Sequence, residues 1–338
     1  MKFLSNLTIK VRLIAIAVVT SLTLLILFLN TYNNANTLSD VSKTLAKVSQ
    51  LKADILMLRR NEKDFLARLD LKYVDKFEKN VAVLTNNFNY VEQKVDEYDL
   101  FMPELGKFKS TYIPYVETFL KLVEEKKRVG LNSKDGYYGE LRNAVHDVEE
   151  LLKKDNSYRL LANMLQLRRA EKDFMLRSDV KYLGKFENQL SNFQSNLNSE
   201  SISESNKGQI RSGLTVYNQK FKNLVQAEQA IGLDPKSGLL GQLRSQIHQT
   251  EEALKSMTQI IESSLDDKII ASTRNAVVFF VMASIFLAYA IYNVSQSILR
   301  PVVAVRNAIG FIRKNNDLTW LVRSKGKDEL VELADDVN

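Results

Sequence analysis

Six arginines carry the most evident chemistry in this chain. Arg59 and Arg60 open the string RRNEKDFLARLDLKYVDKFE, and Arg168 and Arg169 open RRAEKDFMLRSDVKYLGKFE, 109 residues later, with thirteen of the twenty positions identical. Arg142 and Arg244 hold matching places in a second repeat, GLNSKDGYYGELRNAVHDVEELLK from Gly130 and GLDPKSGLLGQLRSQIHQTEEALK from Gly232. A guanidinium is always charged and presents a rigid planar fork of donors, so arginines converging from separate helices suit a small carboxylate. The candidate ligand-binding residues are therefore Arg59, Arg60, Arg168, Arg169, Arg244 and Arg142, with Arg142 serving a second module by duplication. Arg60 lies four residues from Asp64, and Arg169 four from Asp173, so surface ion pairing is the competing role.

Bond-making chemistry has no comparable signal. The chain has no Cys and two His, and lacks an HExxH, a GxSxG and a phosphate loop, so no catalytic residue, metal or cofactor is expected and the chain reads as a non-enzyme. His146 with Glu149 and Glu150 has helical metal-ligand spacing, but one His per repeat favours a core or interhelix hydrogen bond. The net charge of +7 suggests nucleic acid only at first sight. The basic residues cluster beside apolar segments and elsewhere alternate with acids, so no nucleic-acid partner is expected.

Two uncharged stretches, LIAIAVVTSLTLLILFL from Leu13 and AVVFFVMASIFLAYAIYNV from Ala276, are each long enough to cross a bilayer as a helix. No small-residue cleavage site follows the first, so a signal anchor fits better than a cleaved signal peptide. Lys2, Lys10 and Arg12 precede the first, and Arg300, Arg306, Arg313 and Lys314 follow the second. The excess of basic residues puts both ends in the cytoplasm and residues 31–274 outside, which is the periplasm of a Gram-negative cell. The expected divisions are a cytoplasmic N-terminus (1–12), a first span (13–30), an outer segment (31–274), a second span (275–297) and a cytoplasmic segment (298–338).

The outer segment has helical periodicity and few breakers. Leu51, Ile55, Leu58, Glu62 and Phe65 are expected on one face, with Leu161, Leu165, Leu167, Glu171 and Phe174 as their counterparts, and Phe65, Tyr73 and Phe77 in the core. Pro103 and Pro235 suit first-turn or loop positions. Breaks at 70, 100, 130, 179, 200 and 232 give seven helices, yet a chain that leaves and returns to one membrane needs an even number. Either a break at DLKY or DVKY is read through as a kink, or one is added; six helices shared by two stacked four-helix bundles is the economical solution. Arg59 and Arg60 lie about 29 residues beyond the first span and Arg244 about 31 before the second, a match in height to within a turn at about 1.5 Å per residue. Arg168 and Arg169 join them if their helix descends that far.

Beyond the second span, Pro301 at a helix start, a short apolar stripe (Val302, Val305, Ile309, Ile312), the connector NDLT and the start GKDE resemble a HAMP domain. That resemblance implies a parallel homodimer, and neither short helix can bury its stripe alone. The outer segment, through RRxEKDFxxRxDxKYxxKFE and its second copy, resembles the helical bimodular sensor of methyl-accepting chemotaxis proteins. The resemblance implies an all-α receptor in the bacterial inner membrane: a periplasmic sensor of two stacked four-helix bundles between two spans, then a HAMP coiled coil. It implies a small carboxylate ligand, such as a C4-dicarboxylate or acetate, held by arginines, and a cytoplasmic chemotaxis kinase and coupling protein reached through a further C-terminal domain. The alternatives are the sensor region of a histidine kinase or cyclic-nucleotide enzyme, or a module that reads a periplasmic binding protein.

Overall fold

Every regular element among the described residues is a helix. The structure, a computed structural model, describes residues 7–98, 102–315, 329, 331, 332 and 336. Eight α-helices follow one another: α1 (Ile9–Arg68), α2 (Lys72–Glu97), α3 (Pro103–Val129), α4 (Gly136–Lys154), α5 (Tyr158–Arg177), α6 (Lys181–Ser199), α7 (Glu204–Ile231) and α8 (Gly238–Asn315). Two compact units divide the chain, one of residues 44–262 and one of residues 1–43 with 263–338.

The count of eight corrects the six-helix expectation. Neither DLKY nor DVKY is a kink; both are full breaks, and a further break lies between α4 and α5. That break is written in Asp155, Asn156 and Ser157. Asn156 takes the left-handed conformation (φ 49°), and the Ser157 hydroxyl accepts from the Leu160 N–H at 3.4 Å, an N-cap worth about 1 kcal/mol.

The charged string turns out to be a helix corner built twice. Leu69 and Ser178 close their helices in the left-handed region (φ 50° each), their N–H groups donating to Phe65 and Phe174 carbonyls at 2.7 Å. Asp70 Oδ1 then accepts from the Lys72 N–H at 3.0 Å and Asp179 Oδ1 from the Lys181 N–H at 2.9 Å, which starts the next helix. Three cations surround one tyrosine in each copy: Arg68, Lys72 and Lys76 lie 5.1–5.7 Å from the Tyr73 ring centre, and Arg177, Lys181 and Lys185 lie 5.0–6.0 Å from that of Tyr182. Glycine is required at the Gly130 and Gly232 bends (φ 120° and 121°), where a Cβ would strike the carbonyl oxygen of Asp135 or Ser237.

Two aromatic cores fill the larger unit. Phe65, Phe77 and Phe119 join α1, α2 and α3, with the Phe77 and Phe119 rings 4.1 Å apart. Phe174, Phe186 and Phe221 join α5, α6 and α7 in the same arrangement, within the core that α4 completes. Burying each such ring contributes roughly 1.5–3 kcal/mol. The first face is as the sequence predicts: Leu51, Ile55, Leu58, Glu62 and Phe65 are all buried. The second is displaced. Leu165 is exposed and Leu161 only partly buried, while Leu160, Met164, Leu167, Glu171 and Phe174 are buried, the set obtained by adding 109 to each member of the first. The seven residues lost between repeats come from the end of one helix: α2 has 26 residues and α6 has 19. Pro103 stands in the first turn of α3.

In the smaller unit, the apolar stretches belong to α1 and α8, the two helices among the described residues that are long and apolar enough to cross a membrane. Their large apolar side chains, among them Leu25, Phe28, Phe280 and Phe286, are exposed. Pro301 does not begin a helix; α8 runs through it to Asn315. A proline at 301 has no N–H for the Ser297 carbonyl, and that carbonyl instead accepts from Arg12 Nη1 at 3.1 Å, with Arg12 fully buried. Of the expected stripe, Val305 is buried and Ile312 partly buried, while Val302 and Ile309 are exposed. Lys2, the NDLT connector and nearly all of the GKDE helix start lie outside the described residues.

Two outcomes test the corner. Ser178→Gly removes a Cβ from a left-handed position and should stabilise the chain by about 1 kcal/mol in urea melts of the full chain in detergent, whereas Ser178→Val should destabilise it. The Asp179 carboxyl lies below its ordinary range because it accepts from the Lys181 side chain and then from the Lys181 N–H. A depressed carboxylate stabilises above its unfolded pKa and loses that contribution as pH falls through the folded value. The gap in melting temperature between wild type and Asp179→Asn should therefore be widest near neutrality and close once the pH drops below about 4; a gap independent of pH would contradict the assignment.

Candidate functional site

Where the corner of the first repeat approaches the Gly130 loop, a cleft of about 520 Å³ opens in the larger unit. Leu69, the Gly130–Ser133 bend, the first turns of α4 and one face of α5 line it. Arg142 and His146 come from α4, Arg168 and Lys172 from α5, and Tyr138 and Met175 add apolar wall. The sequence positions these groups simply. The bend starts α4 at Gly136, so positions 138, 142, 145 and 146 fall on neighbouring turns, and the 168, 171, 172, 175 series does the same on α5.

Ion pairs hold the walls. Arg168 Nη1 donates to Glu149 Oε1 at 2.7 Å, an interhelix bond that raises the arginine's affinity for its proton further. His146 Nδ1 lies 3.7 Å from the other Glu149 oxygen. Beneath them the Glu171 carboxylate, 2% exposed, accepts from the Tyr217 hydroxyl at 2.6 Å and pairs with the Lys172 ammonium at 2.9 Å. Burial, and then the adjacent Glu171 charge, pushes the Tyr217 hydroxyl far above its usual range, so it stays a donor at any physiological pH. Tyr138 is likewise raised by burial and by Glu228, to which it donates at 2.8 Å.

The first repeat carries the same set with the copies exchanged. Arg59 Nη1 donates to Glu251 Oε1 at 2.6 Å, His248 Nδ1 lies 3.7 Å from Glu251 Oε2, and Tyr115 donates to the buried Glu62 at 2.7 Å. The first arginine of each string thus pairs with a glutamate of the other repeat unit: Arg59 on α1 with Glu251 on α8, and Arg168 on α5 with Glu149 on α4.

This geometry separates the six arginines differently from the expected level of Arg59, Arg60 and Arg244. Arg142 and Arg168 share the cleft. Arg168 therefore joins Arg142 rather than the Arg59 group. Arg59 is engaged by Glu251, and Arg244, the counterpart of Arg142, is exposed. Arg60 points elsewhere, 3.8 Å from Asp64, as the ion-pair alternative requires, and lines a groove between α1 and α2. Arg169 is exposed, and Asp173 pairs with Arg177 at 3.6 Å instead of with Arg169. Neither histidine is a core residue; their side chains are 51% and 54% exposed. Among the described residues no three His, Cys, Asp or Glu side chains assemble as a metal site.

Sequence reasoning missed His146, Tyr138 and Lys172 as cleft residues. The matching offsets of Arg59 to Arg168 and of Glu149 to Glu251 were readable, but the exchange that pairs them was not. No protein-family model and no curated protein matches the chain.

What the arrangement can do is bind an anion. Arg168 spends one donor on Glu149 and has four N–H groups left, Arg142 is exposed beside it, and Lys172 and His146 add positive or protonatable charge. The buried carboxylate below is structural. Tyr217→Phe should cost about 1–3 kcal/mol in thermal or chemical unfolding, since it leaves Glu171 buried without its closest donor, and Tyr115→Phe should cost a similar amount through Glu62.

Proposed function

We propose that this chain is the sensing and membrane-crossing part of a bacterial chemoreceptor that binds a small organic acid outside the inner membrane. The observation that carries the reading is the meeting of Arg142 and Arg168, from different helices, in one cleft of about 520 Å³. A carboxylate of two to four carbons fits such a space, takes the Arg142 fork bidentately and shares Arg168 with Glu149. Two aromatic cores built from duplicated helices, and two helices long and apolar enough to cross a membrane, support a reading as a two-module sensor between two spans.

Signalling then follows from competition and continuity. An acid that draws Arg168 from Glu149 changes the relative preference of α4 and α5 for two positions, and only such differential binding can signal. The corresponding pair, Arg59 with Glu251, joins α1 to α8, the helix that also contains the second apolar stretch. A shift along α8 of an ångström or two would pass to a HAMP coiled coil in a homodimer, and from there to a cytoplasmic kinase and its coupling protein. The exposed apolar residues Val302 and Ile309 after Pro301 support a second copy as the partner of that segment.

Isothermal titration of the full chain in lipid nanodiscs with acetate, lactate, malate, succinate and fumarate tests the reading. At least one should bind, and Arg142→Ala should weaken it roughly tenfold or more, the loss of about 1.4 kcal/mol or greater. Absence of heat for every acid, or an affinity indifferent to Arg142→Ala, refutes it.

A further inference from the structure

A second cleft, of about 450 Å³, lies along the hairpin of α1 and α2 and is lined by Arg60, Asn61, Asp64, Arg68, Lys79 and Asn80, among others. The hairpin turns at residues 69–71, so Arg60 and Asn61 on α1 stand at about the level of Lys79 and Asn80 on α2. The end near the turn is occupied: Arg68 and Lys76 both rest on the Tyr73 ring. The far end is not. Asn61 is 6% exposed, and its Nδ2 is buried without an acceptor. Neither the Lys79 nor the Asn80 side chain makes a hydrogen bond or ion pair among the described residues. Arg60 is 72% exposed and reaches Asp64 only at 3.8 Å, and Asp64 is equally close to Arg68.

The duplication supplies an internal comparison. The second repeat builds the same corner with Arg169, Asp173, Arg177, Tyr182 and Lys185 in matching places, but has Ala170, Asn188 and Gln189 where the first has Asn61, Lys79 and Asn80. The second hairpin forms its corner without these donors, so the fold does not require them. A buried amide donor left without a partner, beside two cations, is the condition a bound oxyanion would relieve.

We propose that the far end of the α1–α2 groove is a binding site for a phosphate dianion, either orthophosphate or the phosphate of a small monoester. Two positive charges, Arg60 and Lys79, with two amides, Asn61 and Asn80, match a group carrying close to two negative charges and several acceptor oxygens. A monocarboxylate brings one charge and two oxygens to the same donors. Asp64 does not block the site, because it retains Arg68 when Arg60 turns to the ligand.

Isothermal titration of the full chain in nanodiscs of neutral lipid, at pH 7.5, with orthophosphate, glycerol phosphate and succinate reads the assignment. Saturable binding of orthophosphate, of glycerol phosphate or of both is expected, which also tells the free ion from the monoester. Lys79→Asn and Asn61→Ala, which install the residues of the second repeat and should fold normally, are each expected to weaken it roughly tenfold. Arg142→Ala, in the other cleft, is expected to leave phosphate binding unchanged, so the two sites fail independently. No saturable binding of either phosphate compound, retention of affinity in both groove variants, loss of it in Arg142→Ala, or succinate binding to the Arg142→Ala chain as tightly as phosphate does would each overturn the proposal.

Discussion

A carboxylate cannot stay in an aromatic core without donors, and two such carboxylates organise this molecule. Glu62 and Glu171 are 3% and 2% exposed, and each is held by a tyrosine hydroxyl from a different helix and by its neighbouring lysine. The cost of a buried, unpaired charge is several kcal/mol, so the register of α1 against α3, and of α5 against α7, is set wherever the tyrosine meets the glutamate. Phe65 and Phe174, one turn further on, then fall against Phe119 and Phe221. The corner follows immediately, with its left-handed residue and its tyrosine ringed by cations. Most of the charged string is thereby accounted for as architecture.

What remains after that accounting is informative. The string arginines Arg59 and Arg168 reach across to glutamates of the opposite repeat unit, so each core is completed by a helix from elsewhere in the chain. This exchange is why the cleft with Arg142 forms beside Arg168 and the Gly130 bend. It also joins α1 to α8 through one of the two Arg–Glu pairs.

The repeats are unequal where structure does not demand equality. In the first, Asp54 and Asn87 form a buried polar pair at 2.6 Å that Lys47 and Gln50 extend; in the second, the counterpart of Asp54 is Asn163, whose Nδ2 lacks a partner. The groove donors Asn61 and Lys79 have likewise no equivalents. The cores diverge as well, since Phe88, Phe108 and Tyr112 of the first stand where the second has Leu197, Ile210 and Leu214, while the Glu–Tyr pair and the three rings beside it are kept in both.

Much of the fold was legible because helix formation, breakage and membrane crossing depend on local pattern. The apolar stretches, the Leu51–Phe65 face and the Gly130 and Gly232 bends could be read from spacing and residue type alone. Ser157 after Asn156 was equally local, an N-cap behind a left-handed residue, and was passed over; so was the displacement of the second face from Leu161 to Leu160. The grouping of the arginines was of another kind. Whether Arg168 meets Arg142 or Arg59 depends on which helices share a core, and 109 residues of spacing are consistent with either. Only packing decided it: the buried Glu–Tyr pairs and aromatic rings fix each helix's rotation and neighbours, and charge placement on the surface follows from that rather than determining it.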